Sequence, residues 1–239
     1  MMHNLKTAAG GPWFTGPGRS RAVPAHRGRA GLPGPVGDSM VAGGSWADVP
    51  PGRRRTVRSY HLGTLDGAAP SVHPEAWIAP GVVLVGRVTV GPAASVWYGS
   101  VLRADDDEIV VGPECNIQDQ CCLHVDAGEP VILAERVSLG HRAMVHGAHV
   151  EAGALIGIGA IVLGRARIGA GSLVAAGTVV RPGQQIPPGV LVAGVPGRVV
   201  RELTDADRAT FADTAAQYIR RAARHDRANW TGPGDPTGR

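Results

Sequence analysis

The chain has 239 residues, 35 of them Gly and 19 Pro, with 44% hydrophobic but only 4% aromatic side chains. That length suits one domain with or without tails, and so few rings exclude an ordinary sandwich or helical bundle, whose layers large side chains fill. The formal charge of +4 joins two unlike segments, since residues 1–65 carry nine Lys/Arg against Asp38 and Asp48 while the rest carries an acidic excess. The body therefore offers no basic surface for nucleic acid.

Residues 1–65, with 12 Gly and 7 Pro, bury too little apolar surface to offset their ordering entropy and read as a disordered basic tail. No apolar run in them is long enough for a signal peptide or a membrane span. Cys115, Cys121 and Cys122 are an odd count without a secretory signal. They read as buried small hydrophobes in a reducing, cytoplasmic compartment.

From Ile78 an aliphatic residue recurs every six positions: Ile78, Leu84, Val90, Val96 and Leu102. The series resumes at Val111, Ile117 and Leu123, again at Leu133, Leu139 and Val145, and after one five-residue step runs from Val150 to Val192. Gly or Ala often follows the aliphatic residue, as at Gly91, Gly112, Gly140 and Gly157. A period of six is neither helical nor simple alternation. It fits short strands joined by tight turns, which bury their apolar positions only by stacking into a solenoid. Residues 66–201 are assigned to it. The pattern resembles left-handed parallel β-helix proteins, in which three hexads close one triangular coil. Residues 202–228 are predicted to form a C-terminal helix packed on the prism, with Thr204 as N-cap and Asp207 as its capping-box acid. Residues 229–239 read as a disordered tail.

Two breaks in the hexads set the register. Leu102 to Val111 is one hexad plus three residues, the excess in the acidic Asp105–Glu108 stretch, and Leu123 to Leu133 is one hexad plus four. With those excursions discounted, Leu102, Leu123 and Val145 lie one coil apart. Arg103, His124 and His146, each one residue later, should form a column at the strand spacing of about 4.8 Å. Two imidazoles at that spacing can converge on one metal ion. The same count stacks Asp119 on His141 around a corner of the prism. Only another copy of the chain could bring His141 to the first column, so a homotrimer with a three-His site at each interface is expected. Three protein ligands and an open position mark a catalytic zinc rather than a structural one.

Arg103-Ala104-Asp105, Asn116-Ile117-Gln118-Asp119, Leu123-His124, and Gly140-His141 through Val145-His146-Gly147 closely resemble the γ-class carbonic anhydrases over about residues 70 to 228. The resemblance implies reversible hydration of CO2 to bicarbonate by a metal-bound hydroxide at the trimer interface. His124, His141 and His146 would hold Zn2+, with Fe2+ or Co2+ also suited to three imidazoles. Arg103 would hold bicarbonate and pair with Asp119 across the interface, Asp105 and Gln118 would orient them, and Tyr218 would reach the site from the helix. The chain has Ala104 and Asp106 where the type enzyme has Gly and Glu. Its loop after His124 is short, without the family's acidic shuttle segment, which implies weak turnover. The hexads alone also fit an acyl-CoA thioesterase or acyltransferase, and the histidines a non-catalytic metal-binding trimer.

Overall fold

The computed structural model describes residues 60–228. The readings of residues 1–59 and 229–239 fall outside the described residues. From His61 to Ala193 the chain winds as a parallel β-solenoid matching a left-handed β-helix, and Arg198–Glu202 then returns antiparallel along Val190–Ala193.

One face stacks the first half of Val101–Val111 on Cys122–His124, Met144–His146, Ile161–Val162 and Val179–Val180. A second stacks the far half of Val101–Val111 on Val131–Leu133, His149–Val150, Arg167–Ile168 and Gln185–Ile186. The long strands Val83–Val90 and Val101–Val111 each contribute to both faces, which makes them one twelve-stranded sheet. The third face is a separate eight-stranded sheet from Trp77–Ile78 to Arg198–Glu202.

Each hexad aliphatic points inward. Leu84, Leu102, Leu123, Val145, Val162 and Val180 form one fully buried stack. The small residue after the aliphatic one has a steric cause, because coils at strand spacing leave no room there for a side chain. A Cβ on Gly140 would lie 2.7 Å from the backbone nitrogen of Ile158 on the next coil. The corners need left-handed backbone, taken by Arg142 at φ 61° and, one coil on, by Gly159 at φ 65°.

Both breaks behave as the hexad count requires. Register jumps from Gly86↔Ala104 to Val88↔Ile109, so three extra residues bulge from the long strand around Asp105–Glu108. The second excursion closes as a tight turn, with Asp126 and Glu129 bridged antiparallel. One boundary differs from expectation. The solenoid starts earlier, because His61–Gly63 pairs with Val83–Val85. This strand has one aliphatic residue, the half-exposed Leu62 stacked on Leu84, and so shows no repeat of its own.

The helical segment is two pieces, α1 (Asp205–Phe211) and α2 (Thr214–Asp226). Thr204 and Asp207 form the expected capping box on α1. Ala215, Tyr218 and Ala222 are the buried face of α2, which packs against Trp77–Ile78 and Ser95–Val96 of the third sheet. Among the described residues, no helix is long and apolar enough to cross a membrane.

Candidate metal centre

Val85, Arg103, His124 and His146 occupy one column in continuous register on the first face. Each follows an inward aliphatic residue by one, so alternation turns its side chain outward. The His124 and His146 rings stand 4.9 Å apart between centroids, the strand spacing the hexad count requires. His124 Nδ1 faces His146 Nε2 at 2.9 Å, and the side chains are only 16% and 22% exposed.

A carboxylate meets each ring on its other nitrogen. Asp105, placed by the bulge, accepts from His124 Nε2 at 2.9 Å and also pairs with Arg103. Burial alone would raise the Asp105 carboxyl. Its own backbone N–H, the His124 hydrogen bond and the Arg103 charge outweigh that and hold it below its ordinary value. Asp126 Oδ2 lies 3.8 Å from His146 Nδ1. With its outer nitrogen engaged, His124 is left with Nδ1 as its donor atom, which is how carboxylates orient metal-binding histidines.

These residues fit a divalent metal. Two imidazole nitrogens on one tetrahedral zinc, each about 2.0–2.1 Å from it, stand about 3.3 Å apart, close to the 2.9 Å observed between His124 and His146. Among the described residues, His124, Asp126 and His146 form a cluster of ligand atoms within 4.8 Å of one another.

The other expected residues lie elsewhere in the chain. Asp119 and His141 stack on the neighbouring corner, where Asp119 Oδ2 meets His141 Nδ1 at 2.8 Å, and His141 is outside the His124 cluster. Within one chain Arg103 pairs with Asp105 and Asp119 with His141. Gln118 is buried in a polar ladder, donating to Asn116 Oδ1 at 3.1 Å, with Asn116 donating to Ser138 Oγ at 2.7 Å. Tyr218 packs edge-on against Trp97 with centroids 5.2 Å apart and Arg221 over its ring. Burial raises its phenol pKa, Arg221 opposes that, and Asp119 adds to it.

Two features escaped the sequence. Asp126 shares the outward parity of His124, and that parity was the available signal. His225 docks among Trp77, Trp97 and Tyr98 and meets the Tyr98 hydroxyl at 2.7 Å. Nothing in helical periodicity says where α2 lands on the solenoid. One cysteine also departs from expectation. Cys115 and Cys121 are buried, but Cys122 is exposed because it immediately precedes the inward Leu123.

No protein-family model matches the chain. A Methanocaldococcus jannaschii protein named "Probable carbonic anhydrase" is 50% identical over 143 residues, 60% of this chain and 90% of the relative. Gamma carbonic anhydrase 1, mitochondrial, of Arabidopsis thaliana is 38% identical over 183 residues, 74% of this chain and 66% of the relative. The chain belongs to the γ-class carbonic anhydrase family. Among solved structures, a hexapeptide transferase family protein from Anaplasma phagocytophilum aligns with TM-score 0.66 and 34% identity, over 68% of this chain and 96% of that one. The γ-class pattern thus sits on a scaffold that proteins described as transferases also use.

Proposed function

We propose that this protein is a γ-type carbonic anhydrase that interconverts CO2 and bicarbonate at a divalent metal shared between neighbouring subunits of a homotrimer. The observation that carries this reading is the His124–His146 pair, with facing nitrogens 2.9 Å apart and Asp105 on the far side of one ring. A bound divalent metal supplies Lewis acidity that makes water nucleophilic near neutral pH, a property exemplified by carbonic anhydrase zinc. Zn2+ is the expected ion, and Fe2+ or Co2+ also suits imidazole ligands.

The chain's own residues do the rest. Asp105 fixes the His124 ring through Nε2–H. Arg103, half-exposed in the same column, offers a planar fork of donors to the bicarbonate oxygens. Asp119 steadies the His141 ring. Gln118, buried in its polar ladder, and Tyr218, on the buried face of α2, act as supports for the Asp119 corner.

Three features support the trimer. His141 sits around the corner from a column that lacks only a third imidazole. Ile158, the residue one coil on from His141, is 56% exposed. Beside the histidines, Val101, Cys122, Met144, Ile161 and Val179 make an outward apolar ladder. A second copy seated there would cover both patches and bring its His141 to the column. The unpaired thiols Cys115, Cys121 and Cys122 suit the reducing cytoplasm.

Elemental analysis of anaerobically purified protein tests the site. About one divalent metal per chain is expected for a three-ligand shared site, lost in both His124→Ala and His141→Ala. Retention of full metal by His141→Ala would exclude the shared site. Hydrolysis of acyl-CoA without CO2 hydration would favour the thioesterase reading instead.

A further inference from the structure

We infer that Glu129 is a positioning residue for the metal centre: its carboxylate pins the Asp126–Glu129 turn to Arg165 two coils on and so holds Asp126 at His146. This rests on the reading of His124 and His146 as metal ligands.

The turn itself is short. Asp126 and Glu129 are bridged to each other, with Glu129 N donating to the Asp126 carbonyl at 2.9 Å. One end carries Asp126, whose carboxylate stands 3.8 Å from His146 Nδ1. The other end carries Glu129, whose side chain is only 19% exposed although it lies in a surface loop. Glu129 Oε1 accepts from Arg165 at 2.7 Å, across 36 residues of sequence.

Two glycines make room for this strut. A Cβ on Gly147 would lie 2.9 Å from Glu129 Cβ, and one on Gly164 would overlap Glu129 Oε2. Gly147 directly follows His146, donates to the His124 carbonyl at 3.0 Å, and accepts from the Arg165 amide. Glu129 therefore fills a slot bounded by the backbone of the His146 strand and by Arg165. A free proton-carrying carboxylate would need none of these contacts. A pinned one cannot swing towards the metal side, but it fixes the far end of the turn that bears Asp126. The carboxylate that meets His146 is then held in place by the solenoid itself, as Asp105 is held by the bulge, and outer partners of this kind tune metal affinity.

The test is Co2+ binding by the full chain, measured by competition with a chromophoric chelator and by the visible spectrum of the bound ion. Glu129→Ala and Gly164→Ala, which removes the slot while leaving Glu129 intact, should each weaken binding by about 10-fold and change the spectrum. Glu151→Ala, which breaks the Glu151–Arg167 ion pair on the second face, should do neither. In an Asp126→Ala background, Glu129→Ala should cause no further loss, since its effect runs through Asp126. Unchanged affinity and spectrum in both Glu129→Ala and Gly164→Ala, or a full additional loss in the double variant, would overturn the proposal. Absence of Co2+ binding by the unaltered chain would instead remove the metal-site reading on which it stands.

Discussion

The chemistry of this chain turns on which way single side chains point from a strand. His124 and Cys122 flank the inward Leu123 and are both turned outward, so the imidazole reaches the centre and the thiol reaches the adjoining surface. Cys115 and Cys121 point the other way, and burial pushes both thiols up to about 12. Since the thiolate is the nucleophile, iodoacetamide at pH 8 is expected to leave both unmodified in the folded protein, with labelling only after denaturation. Mass spectrometry of digested protein reads this out, and early modification of either would contradict their burial. Asp105 bridges Arg103 and His124, so Asp105→Asn, which keeps the shape and removes the charge, should lower metal affinity by about 10-fold without unfolding the chain. Equilibrium competition with a chelator measures that loss.

At the scale of elements, α1 depends on its first turn. Arg201, the Thr204 hydroxyl and the Thr204 backbone N–H together hold the Asp207 carboxyl far below the usual range. A carboxyl depressed in the folded state adds stability at pH values above its unfolded pKa of about 3.9, and that contribution is lost as pH falls towards the folded value. Protection of the Arg208–Phe211 amides, relative to their intrinsic exchange rates, should therefore fall below about pH 4 in the native chain. Asp207→Asn should show low protection at every pH, and a native-like pH dependence in that variant would assign the effect elsewhere. The capping box was legible because its residues are neighbours in sequence. The break between α1 and α2, and the docking of His225 among Trp77, Trp97 and Tyr98, were not, because they depend on contact with a distant sheet. Trp77, Trp97 and Tyr98 lie outside the narrow interior, clustered with Tyr218 of α2.

For the whole molecule, the hexad count carried unusually far because a solenoid converts sequence separation directly into stacking. Counting around the breaks at Asp105–Glu108 and between Leu123 and Leu133 placed Arg103, His124 and His146 in their observed register. The same count placed Asp119 and His141 on the adjacent corner. It missed the first strand at His61–Gly63, where one aliphatic residue makes no repeat. It says nothing of Asp126 and Glu129, since hexads do not describe turns between coils. The stacked core should be intolerant of gaps. Ile156, fully buried in mid-solenoid, should cost about 2–5 kcal/mol when cut to Ala, as measured by denaturant titration. The apolar ladder beside the histidines should keep the protein at three times the 24.6 kDa chain mass in light scattering, and Met144→Glu should dissociate it with loss of metal. Stopped-flow CO2 hydration by the zinc-loaded protein is the most direct measurement. Hydration above the buffer rate that disappears in His124→Ala and in His141→Ala is the expected result, whereas a fully metallated trimer no faster than buffer would contradict the proposed function.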